Sequence, residues 1–175
     1  MSGTAAPKRI VLMGVSGSGK SSVGEALQRL TGLRYLDGDD LHPPTNVAKM
    51  AAGIPLDDED RWPWLDRVAA VLATRPPVAV GCSALKRIYR DRLRAGAAGP
   101  VTFVHLSGPR ELIAGRMAAR TGHFMPSALL DSQFATLEPP EGEAGGLTVS
   151  IDQPTEAIAR EIAARLGLPL VPQLP

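Results

Sequence analysis

The chain has 175 residues, 44% of them hydrophobic and 21% charged, with a formal net charge of +1. That length fits one domain with a full sheet core and leaves no room for a sizeable second one, and the near-neutral balance gives no field suited to nucleic acid or an anionic membrane. Apolar runs such as Ile10 to Val15 and Val78 to Val80 are far shorter than the roughly 20 residues of a membrane span, and Met1 to Lys8 lacks an apolar signal core, so a cytoplasmic location is expected.

Strand-like apolar runs alternate with helix-like segments along the chain, the pattern of an α/β fold whose parallel sheet carries crossover helices on both faces. The first strand is predicted at Arg9 to Met13. Directly after it, Gly14-Val15-Ser16-Gly17-Ser18-Gly19-Lys20-Ser21 matches G-x-x-x-x-G-K-[ST], and a helix is predicted from Lys20 to Leu30. In that strand-loop-helix context the glycines let successive N–H groups turn inward around phosphates, and the positive end of the helix dipole adds to the attraction. Lys20 is expected to reach the β- and γ-phosphates of ATP, and the Ser21 hydroxyl to ligate Mg²⁺. Gly14, Ser16, Gly17, Ser18, Gly19 and Ser22 complete the expected nucleotide-binding set.

A second strand is predicted at Arg34 to Asp37, and Asp37-Gly38-Asp39-Asp40-Leu41-His42 follows at its C-terminal end. Ligands of open parallel sheets bind at that edge, so the carboxylates face the phosphate loop. One can help hold hydrated Mg²⁺ while another accepts a proton from an attacking hydroxyl. Residues 42–60 fit the alternation poorly and are read as a substrate-side insertion.

Next come a helix at Arg61 to Ala73, a strand at Val78 to Cys82, a helix at Lys86 to Ala95 and a strand at Val101 to Leu106, with His105 read as a core residue. Trp62 and Trp64 fit core packing or helix anchoring better than a stacking platform. Cys82 is the only cysteine, which excludes an intrachain disulfide and a cysteine-based zinc site, and it is read as a small buried residue. In a helix at Arg110 to Arg120, Arg116 and Arg120 are four apart and share one face, a placement that suits an arginine clamp. Thr121 to Gly146 is long for a plain loop, and residues 121–136 are read as a moving lid. The last strand is predicted at Leu147 to Ile151 and the last helix at Thr155 to Leu166, with Ile158, Ile162 and Leu166 on one buried stripe. Leu168 to Pro175 reads as a tail without an assigned role.

Several segments together resemble the thermoresistant-type gluconokinase family, relatives of shikimate kinase within the nucleoside-monophosphate-kinase-like P-loop group. They are Met13 to Ser21; Leu36 to Pro43; Asn46, Lys49, Met50, Gly53, Pro55 and Leu56; Asp60 to Leu65; Cys82 to Arg87 with Tyr89-Arg90-Asp91; His123-Phe124-Met125; and Ser132 to Glu138. The resemblance implies a three-layer α/β/α P-loop NTPase with a five-stranded parallel sheet and a lid. It also implies a homodimer that transfers the γ-phosphoryl group of ATP to the 6-hydroxyl of gluconate. Carried over, it puts Asp37 near Mg²⁺, makes Asp39 the carboxylate that binds and orients the substrate hydroxyl as general base, and closes Arg116 and Arg120 over ATP. A monoanionic polyol needs cations for its carboxylate and polar groups for its hydroxyls. Arg61, Lys86 and Arg90 are the candidate cations, with His42, Lys49, Ser83, His123 and Gln133 as candidate polar contacts.

Two other readings remain open at this point. A kinase for shikimate, another small acid or a nucleotide would share the loop and lid, and a nucleotide-binding regulator would need no acceptor pocket. For the clamp, Arg120→Ala is expected to lower turnover more than ATP affinity; unchanged turnover in steady-state assays would remove Arg120 from the chemistry.

Overall fold

A computed structural model describes residues 8–119 and 127–173. Five strands, β1 (Arg9–Met13), β2 (Arg34–Asp37), β3 (Val78–Gly81), β4 (Thr102–Ser107) and β5 (Gly146–Ser150), form a parallel sheet in the order β2-β3-β1-β4-β5. Each lies within one residue of its expected bounds. The helices are α1 (Lys20–Thr31), α2 (Pro44–Ala51), α3 (Asp58–Thr74), α4 (Arg87–Gly96), α5 (Arg110–Ala118), α6 (Ser127–Thr136) and α7 (Thr155–Leu166), and a 3₁₀ turn spans Gly38–Leu41.

Strand pleating sends alternate residues of β1 to opposite faces of the sheet. Ile10 and Leu12 pack with Val23, Leu27 and Leu30 of α1 and Ile158 and Ile162 of α7. Val11 and Met13 pack with Trp64, Leu65, Val68 and Leu72 of α3 and Leu93 of α4. Both faces being covered explains why β1, β3 and β4 read as continuous apolar runs. It also leaves the C-terminal ends of the strands as the edge where polar loops gather. Cys82 is buried there, and burial pushes its thiol up to about 12, in keeping with a small core residue. Among the described residues no helix is long and apolar enough to cross a membrane.

The departures from expectation have local causes. Residues 42–60 contain a helix, α2, whose first residue is Pro44, where a fixed φ and a missing N–H do no harm. α3 starts three residues before Arg61 because Asp57 and Asp60 form a capping box. The Asp57 carboxylate accepts from the Asp60 N–H at 2.7 Å, and the Asp60 carboxylate accepts from the Asp57 N–H at 3.1 Å. α6 occupies part of the stretch read as a lid; of its described side chains only Leu130 is fully buried, so no apolar stripe announced it. The tail returns to the body: Val171 donates to the Leu30 carbonyl, and Leu168 packs on the core beneath α1 and α7. Arg120 and residues 121–126, which carry the expected end of α5, part of the lid and His123, lie outside the described residues.

Arg90, expected to meet the substrate carboxylate, is fully buried and committed elsewhere. Its Nε and Nη2 donate to the two oxygens of Glu143 at 2.9 and 2.5 Å, Nη1 donates to the carbonyls of Ala84 and Leu85, and Nη2 also reaches the Glu138 carbonyl. All five donors are engaged, which corrects the expectation: Arg90 is a strut that holds the 83–87 loop against the 138–145 loop. Ala84 within that loop has φ 45°, a left-handed conformation that a non-glycine residue keeps only when its surroundings enforce it. The Arg90 and Arg94 guanidinium groups hold the Glu143 carboxyl down at about 2, against an ordinary value of 4.5. A depressed carboxylate stabilises the fold above its unfolded pKa, and that contribution fades as the pH falls toward its folded pKa. Glu143→Gln is therefore expected to lower unfolding free energy by about 3 kcal/mol near neutrality. In denaturant titrations the difference from wild type should shrink as the pH falls from about 4.5 toward about 2.

Candidate active site

The phosphate loop joins β1 to α1 at the C-terminal edge of the sheet. Gly17 has φ 81°, and a Cβ there would sit 2.5 Å from Met117, so glycine is required on both counts. The Lys20 ammonium donates to the carbonyls of Gly14 and Val15 at 2.9 and 3.1 Å, folding back over its own loop. Burial lowers its pKa, opposed by Asp39, Cys82 and Asp37. The Ser18 hydroxyl is buried without a hydrogen-bond partner among the described residues. An orphan hydroxyl, a buried ammonium and a glycine-built concavity in one loop fit a polyphosphate.

Asp37 joins the two halves of the cleft. Its Oδ2 accepts from the Ser21 hydroxyl at 3.1 Å, and its Oδ1 accepts from the Asp39 N–H at 3.0 Å, capping the 3₁₀ turn. A serine hydroxyl and a carboxylate in contact beside the phosphate loop are a donor set that fits Mg²⁺, which favours one or two protein oxygens and otherwise keeps water and phosphate. Asp39 is exposed as a residue, but its carboxyl is partly withdrawn from water. Loss of water around it pushes its carboxyl above the usual range, Asp37 and Asp40 add to the rise, and Lys20 opposes it.

The acceptor side is built by α3 and α4. Gly38 lies so close to β3 that a Cβ would meet the Gly81 carbonyl at 2.3 Å, and its own carbonyl accepts from the Trp64 indole N–H at 2.7 Å. Trp64 is therefore a buried anchor for the turn that carries Asp39, as its core reading anticipated. His42 stacks on Trp64 with ring centroids 4.1 Å apart. Lys49 pairs with Asp60 at 2.8 Å. Arg61 donates to the Leu56 carbonyl and to the Tyr89 hydroxyl, Lys86 pairs with Asp58 at 3.2 Å, and the Tyr89 hydroxyl donates to the same Asp58 oxygen. The Tyr89 hydrogen bond first, and then Lys86, hold the Asp58 carboxyl below its ordinary value. Arg61 and Lys86 are thereby gathered around Tyr89, with Asp58 as the anion that orients Lys86.

Ser83, on the loop after β3, accepts from the Gly14 N–H through its carbonyl at 3.3 Å, which ties that loop to the phosphate loop. Gln133, expected among the acceptor contacts, meets the phosphate loop instead. Its carbonyl oxygen accepts from the Ser16 N–H at 2.7 Å and its amide nitrogen donates to the Ser16 hydroxyl at 3.1 Å. The amide thus covers a backbone donor of the kind a phosphate oxygen seeks. Arg116 donates to the Ile151 carbonyl at 2.6 Å, fixing α5 to the turn after β5.

Asp58, Tyr89 and Glu143 take part in this arrangement without having been singled out for it. Tyr89 lies three residues after Lys86 at the start of α4, a spacing that could have drawn it into the acceptor group. Asp58 and Glu143 carried no signal, because their partners are 28 to 53 residues away.

A family model described as an AAA domain matches residues 10–140. A gluconokinase from Sinorhizobium meliloti 1021 has a similar structure, with a TM-score of 0.86 and 55% identity over 92% of each chain. The thermoresistant gluconokinase of Escherichia coli K12 is 46% identical over 85% of this chain and 87% of its own, and a probable gluconokinase of Rattus norvegicus is 41% identical over 91% and 98%.

Gln133→Glu would set a negative charge against Ser16 and remove the amide donor. It is expected to weaken binding of a nucleoside triphosphate by about tenfold or more, measured by calorimetric titration, whereas Gln133→Ala, which uncovers the same N–H without adding charge, should not.

Proposed function

The chain belongs to the gluconokinase family and carries its AAA-type P-loop domain, and from that premise we propose that it transfers the γ-phosphoryl group of ATP to D-gluconate, giving 6-phospho-D-gluconate for central carbohydrate metabolism and the pentose phosphate route. The observation that carries the reading is the cleft itself. A phosphate loop tied through Ser21 to Asp37, the residue that caps the Asp39 turn, lies on one side, and the cations Arg61 and Lys86, gathered around Tyr89, lie on the other.

Ser21 and Asp37 would hold Mg²⁺, which would supply positive charge to offset the charge of the transferring group. Lys20 provides positive charge around that group, and Arg116 and Arg120 would add to it on closing over ATP as a clamp. Asp39 accepts the hydrogen bond of the attacking hydroxyl and then its proton; partial loss of water around its carboxyl raises its proton affinity, which favours the role of base. With Arg90 engaged as a strut, Arg61 and Lys86 are the cations for the gluconate carboxylate, steadied by Asp58 and Tyr89. His42, Lys49, Ser83 and His123 serve the hydroxyls. The homodimer, the cytoplasmic location and the lid at residues 121–136 belong to the same reading and rest on the family.

The test is ADP release with Mg-ATP against gluconate, shikimate, glycerate, other sugar acids and nucleoside monophosphates, with Lys20→Ala as the control for contaminating kinases. Strong stimulation by gluconate alone, lost in the control, is expected. Stimulation by a different acceptor would discard the substrate, and silence throughout would favour a nucleotide-binding regulator. Asp39→Asn should reduce turnover by about 10²- to 10⁴-fold with ATP affinity retained.

A further inference from the structure

Asn46 is buried on α2, facing neither the phosphate loop nor solvent, and its side-chain nitrogen makes two hydrogen bonds. One runs 2.9 Å to the Asp60 carbonyl and the other 3.2 Å to His42 Nδ1. A backbone carbonyl can only accept, so the atom facing Asp60 must be the NH₂ group, and the amide has one allowed orientation. Its second proton points at His42 Nδ1, which must present a lone pair. The single proton of a neutral imidazole then resides on Nε2.

The ring has little freedom to escape this assignment. Trp64 stacks on it with an interplanar angle of 17°, fixing its plane. Arg61 is the charged group of α3 that acts on it, the neighbouring Asp60 carboxylate is paired with Lys49, and the His42 backbone N–H donates to the Asp39 carbonyl within its own turn. Burial first, and Arg61 next, lower the ring to about 4, so it stays neutral where an ordinary histidine titrates. Among the described residues, none is hydrogen-bonded to Nε2.

We propose that Asn46 is a positioning residue that locks His42 in the Nε2–H tautomer, making the ring a permanent hydrogen-bond donor to a hydroxyl oxygen of the polyol acceptor and never an additional cation for its carboxylate. The acceptor half of this inference rests on the kinase reading above; the tautomer half does not. A neutral donor beside Arg61 discriminates by hydroxyl placement, because its contact is lost when the acceptor lacks an oxygen there.

Imidazole ¹H–¹⁵N spectra of the labelled protein from pH 5 to 8 test the tautomer directly. The sequence has three histidines, and His42→Gln assigns the signal of interest. The expected pattern is a protonated Nε2 and an unprotonated Nδ1 throughout; an Nδ1–H ring, or a charged one in this range, overturns the proposal. The second arm is Asn46→Asp, which sets an acceptor against Nδ1, draws the proton there and raises the ring's pKa. Above that new pKa the ring has no Nε2 proton to donate, so KM for the acceptor should rise with pH by about three- to tenfold, the worth of one neutral hydrogen bond, while kcat moves little and wild type shows no such step. A purely structural role would raise KM equally at every pH, and a variant profile parallel to wild type would overturn the inference. If the variant does not fold, the wild-type spectra still decide the tautomer. If gluconate is not the substrate, KM is read with whichever acceptor the ADP-release panel identifies, so the two failures remain distinguishable.

Discussion

Asp37 is the point on which both halves of the cleft depend. One oxygen takes the Ser21 hydroxyl at the end of the phosphate loop, and the other caps the turn that presents Asp39. The carboxylate sits there because β2 ends there, and β2 pairs with β3 in a register that sets Asp37 beside Gly81. A shift of that pairing by one residue would turn every β2 side chain to the other face of the sheet. Sheet register is therefore also the alignment between the group that gives a phosphoryl and the group that takes it.

Electrostatics then differentiates charges that lie close together. Asp37 is held by two donors, whereas Asp39 loses water around its carboxyl and is crowded by carboxylates, which pushes it up against the opposing pull of Lys20. On the acceptor wall the arrangement is inverted. Asp58 binds Lys86 and Tyr89, and Tyr89 in turn steadies Arg61. The anion of the protein keeps its cations oriented.

Much of this was legible in the amino-acid order. The phosphate loop, the strand ends that carry Asp37 and Ser83, and the buried face of α7 follow from motif and periodicity, since each depends on residues near in sequence. The 44–51 helix and the 127–136 helix were not legible: α2 leaves Val47 and Met50 exposed and buries only the polar Asn46, and α6 shows no apolar stripe. Arg90 and Gln133 were read as substrate contacts from their residue types. Arg90 is held by Glu143, 53 residues on, and Gln133 meets Ser16, 117 residues back. Long-range pairings of polar side chains leave no periodic trace, and burial decides whether a guanidinium meets a ligand or a protein carboxylate.

The position of Arg90 and Glu143 bears on how such a protein can change over evolutionary time. The loop that offers Ser83 and Lys86 is held from its buried side, by groups that do not line the cleft. Scaffold and contact surface are thereby separated within a stretch of a few residues. Side chains on the open side can be exchanged without loosening the backbone that displays them, which is the condition under which one architecture can pass from one acceptor to another by stepwise, tolerated substitutions.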